Sequence, residues 1–324
     1  MATEPSIVVQ PNIEQPGIVE QGIIDSRQNY LVSQRLADAQ VADYWALTKP
    51  EVNFLIVIAT LAGFWLALPR ESHHFPFMLL THTLLGTLLV ASGAGTLNQY
   101  IERRFDVQMR RTARRPVASG RIDPSSALRF GILLSITGCV YLALAVNALA
   151  SVIAFLTLAS YLFVYTPLKR KTPLCTLAGV FPGAAPPLIG CAAASGMLDS
   201  EAWVLYAILL LWQFPHFMAI AWMYREDYLR AGYLVLPLGK ERGRWMAWQS
   251  VLPLLALVPL TVVPMLLMHD RLPYAAGVFM LSSSFLFYGV RLVLRRSNTE
   301  ARRLLFTSII YLPLVLLLMM LAKN

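Results

Sequence analysis

Three side chains that carry oxygen ligands recur at intervals of four residues: Asn98, Glu102 and Asp106, which we call the oxygen row. On a helix, residues four apart are rotated by about 40° and separated by about 6 Å, so all three point to one side. Mg²⁺ usually binds through one or two carboxylates together with phosphate oxygens. The spacing therefore predicts a magnesium site.

Four arginines follow the oxygen row: Arg110, Arg111, Arg114 and Arg115. A guanidinium group presents a planar fork of donors that matches phosphate oxygens. Carboxylates that hold a metal, next to arginines that hold anionic oxygens, favour a diphosphate ligand. The alternative interpretation is an ordinary loop at the membrane edge, whose arginines set topology and whose acids pair with them.

Two later segments carry further polar groups. The sequence YTPLKRKTP, residues 165–173, places Lys169 and Arg170 between two prolines, which indicates a positioned turn. Topology alone would also explain these charges. In residues 212–233, His216 is either a hydrogen-bonded core residue or lines the same cavity, at a deeper level than Asp227.

Asp227 has two interpretations. It would complete the metal site opposite Glu102 and Asp106, or it would form a salt bridge with Arg225 or Arg230. The sequence leaves both interpretations open.

The elements that must position these residues are membrane helices. The chain has 324 residues, of which 57% are hydrophobic and only 14% charged, against about 25% in a soluble domain. Apolar stretches of about 20 residues recur, which is the length that crosses a bilayer. We expect an all-α polytopic protein with about nine transmembrane helices around a central cavity open to the cytoplasmic side. The predicted spans are 46–68, 77–99, 127–147, 149–166, 174–194, 202–224, 246–268, 273–293 and 303–322. The prolines and glycines of residues 181–190 predict an irregular helix in the fifth span.

The distribution of Lys and Arg predicts the orientation. Alternate loops carry 20 of these residues on one side of the membrane and 3 on the other. By the positive-inside rule, the N-terminus is cytoplasmic and the C-terminus lies outside. This rule also explains the net charge of +9, so the charge does not indicate nucleic acid as a partner.

The N-terminal segment differs from the rest. Residues 1–42 are polar and acidic, and we predict a disordered cytoplasmic tail before a transmembrane domain over residues 43–324. The tail resembles neither a signal peptide nor a mitochondrial transit peptide. The bacterial inner (cytoplasmic) membrane is therefore the expected location, with the mitochondrial inner membrane as the alternative.

The oxygen row and its surroundings resemble the first signature of the UbiA-type intramembrane prenyltransferases. The matching residues are Asn98, Glu102, Asp106, Met109, Arg111-Thr112, Arg115-Pro116 and Gly120. The segments YTPLKRKTP, GVFPGAAPPLIGCAAASG and WQFPHFMAIAWMYREDYLRAGYLVLP resemble the other signatures of the branch that prenylates haem. The resemblance covers about residues 42–322.

Two positions depart from the pattern of the family. Glu102 stands where the first signature usually has aspartate; it is one methylene longer and can still coordinate a metal. Ala231 stands four residues after Asp227, where the wider family has a second aspartate. We therefore expect a shifted first site and leave the ligands of a second metal open.

The resemblance implies transfer of the farnesyl group of farnesyl diphosphate to a vinyl group of haem B, with Mg²⁺ as cofactor and haem O as product. It implies that Glu102, Asp106 and Asp227 bind the metal, that Asn98 and His216 complete the catalytic set, and that Arg111, Arg115, Lys169 and Arg170 bind the diphosphate. The lipid bilayer surrounds the enzyme, and haem A synthase or the assembly of a terminal oxidase is a further expected partner.

Other functions predict other features. A prenyltransferase for an aromatic quinone or chlorin precursor would share the diphosphate site. A transporter would carry charge in both membrane halves, whereas here the acids cluster on one side. A structural assembly protein would need no oxygen row.

Overall fold

The computed structural model describes residues 40–69, 74–239, 241–264 and 271–323. Most of the predicted tail over residues 1–42 lies outside the described residues. Within them the chain is helical, and nine helices are long and apolar enough to cross a membrane. The predicted fold class is confirmed.

The helices begin and end as follows: α1 40–47, α2 Pro50–Ala67, α3 Phe77–Asp106, α4 Pro124–Ala145, α5 Ala148–Ala159, α6 Thr166–Leu168, α7 Cys175–Gly183, α8 Pro186–Ser195, α9 Ser200–Met223, α10 Arg225–Arg230, α11 Glu241–Val262, α12 Arg271–Arg295 and α13 Asn298–Ala322. A π-helical segment over Ser160–Tyr165 joins α5 to α6. One span consists of α5, this segment and α6, and another consists of α7 and α8.

Several spans have bounds that differ from the prediction, and spans two and seven show the reason. Span two continues as α3 through 30 residues to Asp106, so the whole oxygen row is helical. Span seven begins at Glu241, five residues earlier than expected, because a charged first turn precedes its apolar part. Charged residues therefore predict where a helix leaves the membrane, but the helix itself can continue through them.

The predicted irregular helix is the pair α7 and α8. The break lies between Gly183 and Pro186, since proline removes a backbone donor and disfavours helix at the preceding residue. The α8 backbone packs closely on α2: a Cβ at Gly190 would overlap the carbonyl oxygen of Thr60, and one at Gly63 would overlap that of Pro187. Small residues permit this approach, as is common between membrane helices.

Two apolar clusters fill the bundle. One lies between α9, α11, α12 and α13, with α2 and α8 against it. The other lies between α3, α4, α5 and α8. The polar residues that form the site lie at the ends of the helices, outside both clusters.

Four segments meet at one end of the bundle, which we call the charged end. They are the last turns of α3, the loop 107–123, the turn after α6, and α10 with the segment that follows it. Arg121 binds the carboxylate of Asp43 at 2.9 Å, and Asp123 caps α4 by accepting from the backbone of Ser125 and Ser126. These contacts fix the loop against α1 and α4.

Candidate active site at the charged end

The oxygen row lies on the last three turns of α3 and is buried. Asn98, Glu102 and Asp106 are 1%, 5% and 0% exposed, respectively. The predicted four-residue spacing on one helix face is confirmed by α3. Buried carboxylates require partners, because their desolvation is otherwise expensive.

Each member of the oxygen row contacts one basic side chain. Arg115 Nη1 lies 2.9 and 2.8 Å from the two carboxylate oxygens of Asp106. Lys169 Nζ donates to Glu102 Oε1 at 2.8 Å, and Lys49 Nζ donates to Asn98 Oδ1 at 2.7 Å. The three cations come from three separate segments, so the site depends on tertiary structure.

Lys49 was missed by the sequence analysis. It precedes Pro50 at the start of α2, and its backbone adopts the left-handed conformation with φ of 54°. Burial, and then the nearby Arg115, lower the pKa of Lys49 to about 7, whereas Glu102 opposes the shift. A single lysine at the edge of an apolar span is the signal that could have revealed it.

Lys169 lies over the ring of Tyr165, with Nζ 4.5 Å from the ring centroid. Burial alone would lower the pKa of Lys169, but the carboxylate of Glu102 holds that pKa well above its usual value. Lys169 therefore stays protonated at neutral pH. The predicted turn after Tyr165 brings this charge to the oxygen row.

The loop 107–123 is anchored to the end of α3. Thr112 Oγ1 donates to the backbone carbonyl of Asp106 at 3.0 Å, which fixes the turn that carries Arg115. The backbone of this turn and the guanidinium group therefore both hold Arg115 against Asp106. These contacts explain why the first signature contains Asp106, Thr112 and Arg115 close together.

Asp227 lies close to the segment that follows α3 but pairs with arginine. Its Oδ1 is 3.2 Å from Arg230 Nη1, and its Oδ2 accepts from the backbone N–H of Arg111 at 3.4 Å. The Arg111 guanidinium lies 4.8 Å from the ring centroid of Tyr224. The ion pair with Arg230 is thus formed, and Asp227 contacts the loop that carries the predicted diphosphate arginines.

The Arg170 guanidinium lies 4.1 Å from the ring centroid of Phe105, one residue before Asp106. This contact places Arg170 at the rim of the site, where it adds positive charge. Three basic groups contact the oxygen row, which contains two carboxylates, and this preponderance of basic groups suits an anionic ligand.

Tyr233 is a second residue that the sequence analysis did not select. It is 3% exposed, and its hydroxyl has no hydrogen-bond partner among the residues that the structure describes. Burial, and then the nearby Glu102 carboxylate, raise the pKa of Tyr233 far above its usual value, although the hydroxyl and the carboxylate do not form a hydrogen bond. Tyr233 is therefore a neutral phenol next to the oxygen row.

His216 contacts side chains of α9 and α13. Its Nδ1 is 2.8 Å from Ser308 Oγ on α13, and its ring stacks on Trp212 with centroids 4.8 Å apart. Trp212 in turn donates to the carbonyl of Ser308 at 2.8 Å. α9 ends at Met223 and α10 begins at Arg225, so His216 and Asp227 belong to separate helices.

Within the described ranges, no three Asp, Glu, His or Cys side chains form a group that could hold a metal by themselves. The residues present do fit a divalent cation that is bound together with a diphosphate. Hard oxygen ligands line one helix face, and basic groups that match phosphate surround them. At this site, Asn98 Nδ2 and the Tyr233 hydroxyl are buried, have no partner within the described part of the chain, and are donors suited to an anion.

Comparisons with known proteins agree with this chemistry. The sequence model of the UbiA prenyltransferase family matches residues 56–310. The protoheme IX farnesyltransferase of Solibacter usitatus is 50% identical over 288 residues, which cover 87% of this chain and 98% of that protein. The protein of the same name from Salinibacter ruber is 42% identical over 84% of this chain and 95% of its own length.

Solved structures share the fold. A digeranylgeranylglyceryl phosphate synthase superposes with a TM-score of 0.69 at 17% identity, covering 88% of this chain and 99% of that one. A UbiA homologue from Aeropyrum pernix K1 superposes with a TM-score of 0.64 at 20% identity, covering 81% of this chain and 95% of that one. A UbiA homologue from Archaeoglobus fulgidus, bound to GPP and Mg²⁺, superposes with a TM-score of 0.58 at 14% identity, covering 86% of this chain and 99% of that one.

Proposed function

Because the chain belongs to the UbiA prenyltransferase family, we propose that it transfers the farnesyl group of farnesyl diphosphate to a vinyl group of haem B, giving haem O. The observation that carries this proposal is the buried cluster of carboxylates and cations at the charged end. The similarity to proteins named protoheme IX farnesyltransferase supports haem as the acceptor.

The oxygen row would hold the metal. Glu102 and Asp106 supply carboxylates, Asn98 supplies an amide oxygen, and Asp227 approaches from α10. Mg²⁺, when bound, would neutralise diphosphate charge and make it a better leaving group. The Archaeoglobus fulgidus homologue, whose structure contains GPP and Mg²⁺, supports this ligand chemistry for the fold.

The basic residues would bind the diphosphate and stabilise the charge that grows on it. Lys169 and Arg115 already lie against the oxygen row, and Arg111 and Arg170 lie at its rim. When the allylic C–O bond breaks, its electron pair goes to the departing diphosphate oxygen. Donors aimed in advance at that oxygen lower the barrier without reorganisation.

The helices would protect the reacting carbons. The vinyl group of haem B supplies the electron pair for the new C–C bond, and the resulting cation then takes up water and releases a proton. An apolar interior excludes water until the first bond has formed. His216, fixed by Ser308, is proposed to contact haem on the membrane side of the site.

The proposed location is the bacterial inner membrane, with the N-terminus cytoplasmic and the C-terminus outside. The nine apolar helices require a bilayer. The excess of Lys and Arg on alternate loops supports this orientation, with the charged end in the cytoplasm. Haem O would then pass to haem A synthase or to the assembly of a terminal oxidase.

A product assay tests the proposal. Purified protein in lipid nanodiscs is incubated with Mg²⁺, farnesyl diphosphate and either haem B or 4-hydroxybenzoate, and products are identified by mass spectrometry. We expect haem O and no prenylated benzoate. A prenylated benzoate without haem O would contradict the haem assignment and favour an aromatic acceptor.

A further inference from the structure

A buried phenol without a hydrogen-bond partner stands beside the oxygen row. Tyr233 lies in the segment after α10, and its side chain is almost fully enclosed. A buried polar group that lacks a partner costs free energy, typically 1–3 kcal/mol, so such groups are rare in native proteins. The hydroxyl therefore requires an explanation.

Two backbone hydrogen bonds and a glycine turn hold Tyr233 in place. Its own N–H donates to the carbonyl of Tyr228 at 2.8 Å, and the N–H of Leu234 donates to the carbonyl of Lys169 at 2.7 Å. Gly232 makes the preceding turn with φ of 72°, a conformation that glycine adopts without strain. The chain thus places Tyr233 next to the same lysine that binds Glu102.

The ring of Tyr233 is also fixed. It packs edge-on against Phe105, with centroids 5.9 Å apart, and against Tyr228, with centroids 6.0 Å apart. The guanidinium group of Arg170, in the turn that follows α6, covers the ring of Phe105. Because these contacts involve the ring alone, they orient the hydroxyl without using it.

We propose that the Tyr233 hydroxyl donates a hydrogen bond to the diphosphate of the prenyl donor. The backbone neighbour of Tyr233, Leu234, is bonded to Lys169, and the Tyr233 ring packs on Phe105, next to Asp106, so Tyr233 lies among groups assigned above to the metal and the diphosphate. A phenol donor fits a phosphate oxygen and remains protonated throughout. The bond that breaks is the allylic C–O bond, its electron pair goes to the diphosphate, and Tyr233 transfers no proton.

The experiment compares Tyr233→Phe with the parent protein. The substitution removes the hydroxyl and keeps the ring that packs on Phe105 and Tyr228. Binding of inorganic diphosphate is measured by calorimetry on the full-length protein in nanodiscs with excess Mg²⁺. A hydrogen bond to a charged group predicts that the Kd rises about tenfold in the variant. The temperature of unfolding should stay the same or rise, since an unpartnered buried hydroxyl is removed.

Tyr311→Phe is the matched control. Its hydroxyl is also buried, but it bonds to Ser282 at 3.0 Å within the cluster of α12 and α13. This variant should lose stability and keep the parental Kd. A merely structural role for Tyr233 would give the opposite pattern in Tyr233→Phe, with lowered stability and an unchanged Kd.

The proposal rests on the proposed function, but the two can fail separately. Diphosphate binding is measured without haem, so a wrong acceptor leaves the readout intact. An unchanged Kd in Tyr233→Phe overturns the role of Tyr233, whatever the product assay shows. A parent protein that does not bind diphosphate overturns it together with the diphosphate site.

Discussion

Two groups of buried acids and basic side chains lie at the ends of the helices, and they differ in construction. The first is the oxygen row with Lys49, Lys169 and Arg115. The second, which we call the hairpin cluster, consists of Glu300 on α13 with Arg291, Arg295 and Arg303. Both contain a carboxylate that is at most 5% exposed and close to arginine.

The hairpin cluster is local. Its residues lie within 13 positions of one another, on two helices joined by a short turn, and Ser297 caps α13 at the same place. One carboxylate faces three guanidinium groups at 2.6, 3.5 and 3.0 Å. This arrangement fixes α12 against α13 and needs no ligand.

The oxygen row instead takes two of its three basic partners from distant segments. Lys49 and Lys169 are separated from their partners by 49 and 67 residues. Convergence of charged side chains from distant segments in a buried place is typical of a binding site. Arginine beside a buried acid is therefore ambiguous on its own, and the distance along the chain between the partners distinguishes a structural cluster from a site.

The largest expected effect is that of Asp106→Asn. It removes the charge of the fully buried acid and keeps its shape, so metal and diphosphate are no longer held. Haem O formation, measured by mass spectrometry, should fall at least about 100-fold while the protein remains inserted in the membrane. Glu226→Gln, at a largely exposed acid in α10, should keep parental activity. Parental haem O from Asp106→Asn would refute the metal assignment.

Arg115→Ala should have an intermediate effect. Its guanidinium is bound to Asp106 and is proposed to bind the diphosphate, so we expect the KM for farnesyl diphosphate to rise about tenfold and the KM for haem B to stay the same. Arg303→Ala in the hairpin cluster is the comparison variant and should change neither value. Equal KM values in the parent and in Arg115→Ala would make Arg115 a topology residue only.

Glu300→Gln should have the smallest effect on activity. It weakens three ion pairs whose arginines are partly exposed, so the loss is limited by solvent screening. We expect the unfolding temperature to fall by about 3 °C, measured by calorimetry in nanodiscs, with both KM values unchanged. A raised KM for farnesyl diphosphate at constant stability would show that the two clusters are not functionally distinct.

Much of the fold could be predicted from the sequence. Nine apolar stretches predicted nine spans because the bilayer fixes their length, and the prolines after Gly183 predicted the break between α7 and α8. The oxygen row could be predicted because its members lie on one helix, where spacing determines direction.

The remaining parts of the site could not be predicted, because they depend on which segments meet. No local pattern shows that Lys49 reaches Asn98 or that Tyr233 turns towards Glu102. The assignment of His216 to the same cavity assumed one continuous helix down to Asp227, but the helix is interrupted at Tyr224. Such contacts depend on tertiary packing that residue types alone do not specify.

The central claim is that the oxygen row holds the diphosphate of the prenyl donor through a divalent metal. Crystals grown with Mn²⁺ and farnesyl thiodiphosphate, measured at the manganese absorption edge, test it directly. The account predicts an anomalous peak about 2.1–2.2 Å from carboxylate oxygens of Glu102 and Asp106, with diphosphate oxygens between that peak and Arg115. A diphosphate bound elsewhere, with Glu102 and Asp106 still paired to Lys169 and Arg115, would contradict it.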